Sequence, residues 1–357
     1  MERLSFFYKM IKKNQISFYE TPKSLATKIA TFSDKPVKKA IILTDENVST
    51  HCLPLILSHL NEKFEFLEII EVDPGESSKE LRVVGQIWTQ LLESSFEKKD
   101  LLINLGGGVI SDLGGFAGST YKRGLNFINV PTTLMSMVDA SIGGKNGIDH
   151  SGIKNAVGTF STPDGVLIYS QFLHTLSKRE LKSGFAEMLK HALIADEVQW
   201  QKLSEINEIT AQSIIPFIPS STKIKEKIVK LDYLENGKRK LLNYGHTIGH
   251  AIEAWHIERK RSITHGEAIA YGMQLESKVA LTMKKISLSN YNLIVPVLAK
   301  YFPIKNRTLP SFDQLMKYMK NDKKNYNGEF RMSFPISPGE AIFDVPVPEQ
   351  IINEVIS

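Results

Sequence analysis

The sequence predicts a Rossmann-like α/β N-terminal domain followed by an all-α C-terminal domain. Up to about residue 175, short aliphatic runs alternate with segments of helical periodicity, as in parallel βαβ units. From residue 176 onward helical periodicity dominates and strand-like runs become scarce. A chain of 357 residues has room for two domains of ordinary size. We therefore predict one domain over 1–175 and a second over 176–357.

Composition and charge exclude several classes of function. A hydrophobic content of 42% and a charged content of 23% are those of an ordinary globular chain. The net charge of +5 is too mild to indicate nucleic-acid binding, and it fits an anionic small-molecule substrate. Cys52 is the only cysteine, and no apolar run approaches the roughly 20 residues of a membrane span. With no signal-peptide pattern at the N-terminus, we expect a cytoplasmic protein without a membrane partner.

Four buried strands are predicted in the first domain and seven helices in the second. The aliphatic runs that predict the strands cover 40–44, 66–72, 101–105 and 127–130. A turn at Pro74-Gly75-Glu76 closes the second of them, and helical periodicity follows over 78–95. The predicted helices of the second domain cover 179–194, 197–213, 221–235, 241–255, 266–284, 288–301 and 311–320.

A glycine run at the end of the third strand predicts a phosphate-binding turn. Gly106-Gly107-Gly108 directly follows that strand and opens a helix, where free backbone amides suit a pyrophosphate. The run is not the usual dinucleotide fingerprint, and Asp45, the acid suited to a ribose, precedes it. Thr132 and Thr133 follow the fourth strand, where doubly wound sheets bind ligands. A tight turn without a ligand is the alternative.

A histidine pattern in the second domain predicts a metal site. His246 and His250 are four residues apart and share one helical face, with Glu253 one turn further on. His265 opens the next helix, and Glu187 on an earlier helix offers a carboxylate. Two imidazoles, one carboxylate and an open position form the ligand set of a catalytic zinc ion. Spacing alone favours His246 and His250 as ligands, and buried core histidines are an equally weighted alternative.

Several basic residues stand in unusual settings. Lys145 follows a Gly-Gly pair, and Lys190 lies three residues after Glu187, on the same helical face. For each residue alone, a solvated surface position is the better interpretation. Taken together they indicate an anion pocket, because Arg and Lys bind phosphate and carboxylate groups. The remaining basic residues and their polar neighbours are Arg123, Lys154 with Asn155, and Arg239 with Asn243.

These motifs, in this order and across nearly the whole chain, resemble the 3-dehydroquinate synthase family of the shikimate pathway, within the sugar phosphate cyclase superfamily. The segments that carry the resemblance are Asp45-Glu46-Asn47, Gly75-Glu76 with Lys79, 106–112, 130–133, 138–145, Lys154-Asn155, Arg179-Glu180, 184–190, 242–253, His265-Gly266-Glu267 and Asp322-Lys323-Lys324.

The resemblance implies two cofactors, NAD and a divalent metal, zinc or cobalt. It implies that Glu187, His246 and His265 bind the metal and that His250 is catalytic, which differs from the ligand pair favoured by spacing. The positions it assigns to NAD are Asp45, Asn47, Glu76, Lys79, Gly108, Val109, Asp112, Thr132, Thr133, Lys145, Lys154, Phe172 and Thr175. The positions it assigns to the substrate are Asp139, Lys145, Asn155, Lys190, Lys225, Arg239, Asn243 and His250, with Arg123 at the phosphate.

The activity that the resemblance implies is a phosphate-eliminating lyase reaction. The substrate, a phosphorylated sugar acid, is 3-deoxy-D-arabino-heptulosonate 7-phosphate, and the products are 3-dehydroquinate and phosphate. Transient oxidation by NAD, phosphate elimination, re-reduction and aldol closure make up the cycle. A homodimer is implied as well, with Arg123 reaching across it in some members.

The chain departs from the family pattern at four positions, namely Ser111, Asn146, Asp149 and Tyr233. None of them is an implied metal ligand, but they leave open a different substrate within the superfamily, as in the inosose and valiolone synthases. A metal-dependent NAD alcohol dehydrogenase of the glycerol dehydrogenase type is a second alternative. Its substrate would be small and uncharged, so it would not explain the basic residues. A catalytically inactive descendant is the third, although every implied ligand is present.

Overall fold

The computed structural model describes residues 15–32, 37–151, 153–304, 309–320 and 330–356. The chain folds into two compact units, Met1–Ser177 and Lys178–Ser357. Lys323 and Lys324, which belong to the last motif of the resemblance, lie outside the described residues.

The first unit is built on a six-stranded parallel sheet. The strands follow the order β1-β8-β5-β4-β2-β3, and every neighbouring pair is parallel. The four predicted strands correspond to β2 to β5 and are confirmed, whereas β1 and β8 were not predicted. The strands of this sheet are β1 (Gln15–Tyr19), β2 (Lys39–Asp45), β3 (Phe66–Val72), β4 (Leu101–Gly106), β5 (Asn126–Pro131) and β8 (Gly165–Tyr169).

Aliphatic residues on both faces of the central strands account for the parallel arrangement. All residues of β4 and β8 are buried, as expected when helices cover both faces of a sheet. The core on one face joins Ile41, Leu102 and Phe127 to aliphatic residues of the neighbouring helices. The helices of this unit are α1 (Pro22–Ala30), α2 (Glu46–His51), α3 (Leu57–Asn61), α4 (Leu81–Glu93) and α5 (Gly108–Thr120).

An antiparallel hairpin, which was not predicted, interrupts the parallel order. Its strands are β6 (Lys145–His150) and β7 (Ile153–Phe160), and Lys145 pairs with Phe160. The hairpin places the Gly-Gly-Lys motif and the Lys154-Asn155 pair on one small element. Two motifs that are ten residues apart in sequence are thereby brought together.

The second unit is helical, as expected, with one addition to the predicted all-α domain. A two-stranded antiparallel sheet, β9 (Phe330–Ser337) with β10 (Glu340–Val347), lies near the C-terminus. The predicted helix over 197–213 is two helices with a break between them. The helices are α6 (Lys178–Ala195), α7 (Glu197–Ser204), α8 (Ala211–Ile214), α9 (Ile218–Leu231), α10 (His246–Glu258), α11 (His265–Thr282), α12 (Leu288–Tyr301), α13 (Phe312–Met319) and α14 (Glu349–Ile356).

Among the helices that the structure describes, none combines the length and the apolar character that crossing a bilayer requires.

Candidate functional site

The carboxyl ends of β2, β4 and β5 lie side by side at one edge of the parallel sheet. They end at Asp45, Gly106 and Pro131. The amide of Thr132 donates a 3.0 Å hydrogen bond to the carbonyl of Gly106, which joins the two loops that leave β4 and β5. Ligands of open α/β sheets bind at this edge, so the glycine turn and the two threonines stand where a nucleotide is expected.

The glycine turn allows α5 to begin close to the sheet with uncapped amides. Gly107 is the N-cap residue, and no side chain caps the helix there. A Cβ atom on Gly108 would lie 3.1 Å from the Cβ of Ala140, and one on Gly114 would lie 2.0 Å from Oδ1 of Asn104. The glycines therefore permit close packing of the helix, and the free amides at its start suit a diphosphate.

A buried lysine gathers several of the residues assigned to NAD. Nζ of Lys79 donates to Oδ2 of Asp112 at 2.9 Å and to Oδ1 of Asn155 at 2.7 Å, and it lies 3.5 Å from Oε1 of Glu76. Nζ of Lys154 lies 3.9 Å from the same oxygen of Glu76. The structure thus joins four positions assigned to NAD with Asn155, which was assigned to the substrate.

In this cluster, burial and neighbouring charges shift the pKa values of Asp112 and Lys79 in opposite directions. Burial raises the pKa of the Asp112 carboxyl to about 6, although the Lys79 ammonium works in the opposite direction. Burial alone would lower the pKa of Lys79, but the carboxylates of Asp112 and Glu76 outweigh it and raise that pKa. Lys79 therefore remains protonated at neutral pH and supplies a fixed positive charge beside the glycine turn.

Two positions that depart from the family pattern have clear structural roles. Oδ1 of Asp149 accepts a 2.7 Å hydrogen bond from the amide of Asn155, whose φ is +49°. The amide of Asp149 donates to the carbonyl of Lys79 at 2.7 Å, so Asp149 links the two residues. Asn146 donates to the carbonyl of Ser161 at 2.8 Å. Sequence reasoning assigned no role to Asp149, because nothing in its local sequence indicates this contact.

The other assigned positions of this unit are spread over several elements. Oγ1 of Thr175 donates to the carbonyl of the buried Phe172 at 2.8 Å. Arg123 is exposed on the turn after α5, with a φ of +65°. Lys145 is exposed at the start of β6, and Asp139 lies in the single helical turn Ser136–Ala140. Asn47 and Val109 lie in the first turns of α2 and α5.

Three helices of the second unit bring together a carboxylate and two imidazoles. Glu187 of α6 is buried, and its Oε1 lies 3.9 Å from Nε2 of His246 and 3.9 Å from Nε2 of His265. Among the described residues, neither carboxylate oxygen receives a hydrogen bond of acceptable geometry, although Nζ of Lys190 forms an ion pair with one of them. The Lys190 ammonium balances the charge of the carboxylate, and Oε1, which faces the two imidazoles, keeps the capacity to bind a metal ion.

The orientation of the two imidazoles also fits a metal ion. Nδ1 of His246 lies 3.2 Å from the carbonyl oxygen of Tyr244, and Nδ1 of His265 lies 3.3 Å from Oε2 of Glu253. Each Nδ1 therefore faces an acceptor, which leaves the Nε2 lone pair directed towards Glu187. Two bonds to zinc at a tetrahedral angle would place their donor atoms about 3.4 Å apart, so the 3.9 Å separations require only a small closure.

His250 lies about as close to these two imidazoles as they lie to each other, since the ring centroids of His246 and His265 are 5.6 Å apart. Its ring centroid lies 5.0 Å from that of His246 and 5.7 Å from that of His265, and the side chain is exposed. The three histidines can each offer a nitrogen within 4.8 Å of one another. The position of Glu187 nevertheless favours His246 with His265 over the pair chosen from spacing, and it leaves His250 beside the site with access to solvent.

Glycines at the helix contacts hold the three helices close together. A Cβ atom on Gly272 of α11 would lie 2.0 Å from the carbonyl oxygen of Gly245 and 2.7 Å from the amide of Gly249. One on Gly266 would lie 2.0 Å from the carbonyl oxygen of Ser183 on α6. Since α11 touches both partner helices through backbone atoms, the positions of His246 and His265 depend on these glycines.

A buried carboxylate also fixes the start of the helix that carries His246. Oε2 of Glu276 accepts a 2.7 Å hydrogen bond from the amide of Gly245, and Oε1 accepts one of 3.0 Å from the amide of Ile248. Glu276 lies on α11, so it caps α10 from the helix that carries His265. A negative charge at a helix N-terminus is stabilised by the free amides there. Sequence reasoning did not identify this residue.

We expect Gly272→Ala to weaken both the fold and metal binding. Its Cβ would meet backbone atoms that cannot rotate away, and relieving such overpacking costs about 1–3 kcal/mol or more. Gly85→Ala in α4 is the matched control, because nothing lies within 4 Å of its Cβ and it should be neutral or stabilising. Thermal unfolding and metal titration would measure both variants. Parent-like unfolding and metal affinity for Gly272→Ala would contradict this account of the packing.

Three of the candidate substrate-binding cations are buried in the second unit. Lys190, Lys225 and Arg239 are each less than 10% exposed. The solvated-surface alternative, which was weighed for Lys190 and Arg239, is therefore wrong for both. Nη1 of Arg239 donates to the carbonyl of Tyr233 at 2.6 Å. Buried cations need anionic or polar partners, and bound anions are one such partner.

Asn243 is oriented by a residue that sequence reasoning missed. Its Nδ2 donates to Oε1 of Glu235 at 2.7 Å, and Glu235 has a φ of +61°. A positive φ is uncommon for a non-glycine residue and can mark a special role, but the sequence does not reveal it for Glu235.

The fold is similar to those of two solved synthases whose structures contain NAD+. A solved structure of 2-deoxy-scyllo-inosose synthase, complexed with carbaglucose-6-phosphate, NAD+ and Co2+, matches with a TM-score of 0.83 and 24% identity, covering 96% of this chain and 95% of that one. The 2-epi-5-epi-valiolone synthase of Streptomyces hygroscopicus, solved with NAD+ and Zn2+, matches with a TM-score of 0.81 and 22% identity, covering 96% and 95%. At these identities the likeness concerns the fold.

Sequence comparison defines the family more narrowly. The models of the 3-dehydroquinate synthase N-terminal and C-terminal domains match residues 69–183 and 184–325. The chain is 36% identical over 335 residues to the 3-dehydroquinate synthase of Parabacteroides distasonis, covering 93% of this chain and 94% of that protein. The chain belongs to the 3-dehydroquinate synthase family.

Proposed function

We propose that the chain catalyses the conversion of 3-deoxy-D-arabino-heptulosonate 7-phosphate to 3-dehydroquinate and phosphate, using NAD and a divalent metal. The observation that carries the proposal is the burial of three cations in the helical unit that also holds the Glu-His-His cluster. Cations at such a site suit a substrate that carries a carboxylate and a phosphate better than an uncharged alcohol.

Each cofactor has residues suited to it. The uncapped amides after Gly107 and the charge of Lys79 would hold the diphosphate and neighbouring groups of NAD, which supplies reversible hydride transfer. Glu187, His246 and His265 would hold zinc or cobalt, which supplies Lewis acidity at a substrate hydroxyl. This metal is proposed because two imidazole nitrogens and one carboxylate form a typical ligand set of catalytic zinc.

The chain's own side chains then position the substrate and move protons. Lys190, Lys225 and Arg239 would hold the anionic groups, and Asn243, oriented by Glu235, would donate to a hydroxyl or carboxylate oxygen. His250 is exposed beside the cluster and can exchange a proton with solvent, as a general acid or base must. Lys145, Asp139, Asn155 and Arg123 complete the proposed substrate set. A homodimer and a cytoplasmic location stay predictions, to be checked by sedimentation and cell fractionation.

Two alternative activities would give products different from those of the proposed reaction. A sister cyclase of the inosose or valiolone type would bind a different sugar phosphate, and the fold is shared with both. A metal-dependent alcohol dehydrogenase would reduce NAD in step with product. The 36% identity to 3-dehydroquinate synthases favours the proposed reaction over both.

The proposal is tested by product analysis. The purified chain, NAD and zinc are incubated with the heptulosonate phosphate, and phosphate and carbocycle are quantified. Equal amounts of phosphate and 3-dehydroquinate are expected. No phosphate from this substrate, with turnover of a glucose or heptulose phosphate instead, would move the chain to a sister activity.

A further inference from the structure

Glu253 is a nearly buried carboxylate for which the proposed function has no use. It lies on α10, one turn beyond His250, and its side chain is 9% exposed. Its Oε2 lies 3.3 Å from Nδ1 of His265, on the adjacent helix α11. It is not among the residues assigned above to metal, NAD or substrate.

The contact bears on which nitrogen of His265 carries the proton. A neutral imidazole has one N–H and one lone pair, and a carboxylate beside Nδ1 favours the tautomer with the proton there. The lone pair then resides on Nε2, the nitrogen that lies 3.9 Å from Oε1 of Glu187. A carboxylate partner also makes the imidazole a stronger electron donor.

The two histidines of the cluster differ in this respect. Nδ1 of His246 faces the backbone carbonyl of Tyr244, a neutral acceptor fixed by the turn before α10. Nδ1 of His265 faces a charged side chain instead, and His265 is also the more exposed of the two, at 35% against 12%. The partner of Nδ1 is thus a side chain for His265 and the backbone for His246, so a substitution can remove only the first of these contacts.

We infer that Glu253 is a positioning residue that holds His265 in its metal-binding tautomer and rotamer, and thereby sets the metal affinity of the site. The inference rests on the proposed metal site at Glu187, His246 and His265. Glu253 itself neither binds the metal nor touches the substrate.

The experiment compares Glu253→Ala and Glu253→Gln with the parent by zinc competition against a chromophoric chelator. Loss of such a partner weakens metal binding by about 10–100-fold, which is the expectation for Glu253→Ala. Glu253→Gln keeps an acceptor oxygen but loses the charge, so its affinity should fall between parent and Glu253→Ala. The visible spectrum of bound cobalt should change in both variants, because the donor strength of one ligand changes.

The matched control is Glu258→Gln in the same helix, where the carboxylate is exposed and pairs with Lys317 and Tyr318. Its zinc affinity and cobalt spectrum should equal those of the parent. If Glu253 had only a structural role, thermal stability would fall while the zinc affinity of the folded variants stayed unchanged.

The outcomes separate this inference from the proposed function. A parent protein that binds no zinc or cobalt would overturn the proposed metal site, and this inference with it. A parent that binds zinc while both Glu253 variants bind it within about threefold of the parent would overturn the positioning role alone, against the 10–100-fold expectation. If Glu253→Ala fails to fold, the zinc affinity of Glu253→Gln decides whether Glu253 positions His265.

Discussion

Replacing His246 with alanine should remove tightly bound metal and nearly all turnover. The change leaves Glu187 and His265 as the only two protein donors of the proposed set, and two donors cannot hold a catalytic zinc ion that needs three. Loss of metal should lower kcat by roughly 1000-fold or more, because it removes several kcal/mol of transition-state stabilisation. Metal analysis after dialysis, together with the rate of phosphate release, measures both effects.

His250→Ala is the matched control for His246→Ala, since both histidines lie on one face of α10. This variant should retain metal while turnover falls by about 100-fold or more, the usual contribution of a general acid or base. The opposite pattern, with metal kept in His246→Ala and lost in His250→Ala, would reverse the roles assigned to these two histidines. Loss of metal in both variants would show that spacing along the helix had chosen the correct ligands.

Removing the charge of Lys225 should damage substrate use much more than NAD binding. Its side chain is buried on α9, and a charge held in an enclosed site interacts strongly with a bound anion. We expect Lys225→Ala to lower kcat/KM by roughly 100-fold, which corresponds to a few kcal/mol of lost electrostatic stabilisation. The dissociation constant of NAD, measured by fluorescence titration, should change little.

Lys227, two residues further along α9, provides the comparison for this prediction. It is exposed, so Lys227→Ala should leave kcat/KM within about threefold of the parent, as surface charges usually do. If Lys225→Ala behaved like Lys227→Ala, the buried lysine would have no part in binding the substrate.

The sheet shows which strands the sequence can reveal. Strands β2, β4 and β5 are rich in aliphatic residues and almost entirely buried, so their composition identifies them. Strand β3 is a more exposed edge strand that its apolar residues still reveal. Strand β1 was missed because it is partly exposed and has no aliphatic run. Strand β8 is a fully buried aliphatic run of five residues, so its composition could have revealed it. Strands β9 and β10 contain Pro335 and Pro346, which argue against a strand but are tolerated where each strand has a free edge.

In the candidate site, too, some residues can be recognised from the sequence and others cannot. The His246 and His250 pair follows from helical periodicity, so spacing could find it. The approach of His265 to Glu187 depends on backbone contacts of Gly272 and Gly266 with two other helices. Glu276 and Asp149 were missed because each accepts a hydrogen bond from a backbone amide that only the folded chain brings close to it. The proposed ligand set of Glu187, His246 and His265 came from the resemblance to a family, because periodicity relates only residues of one helix.

In the proposed reaction NAD is used catalytically, being reduced and reoxidised within one turnover. The most direct measurement mixes enzyme, zinc and a trace of NAD with a large excess of the heptulosonate phosphate, and follows NADH absorbance together with released phosphate. Phosphate should exceed the NAD supplied many times over, while NADH should never exceed the enzyme concentration. NADH that accumulates until the NAD is exhausted, without phosphate release, would contradict the proposed reaction and identify a dehydrogenase.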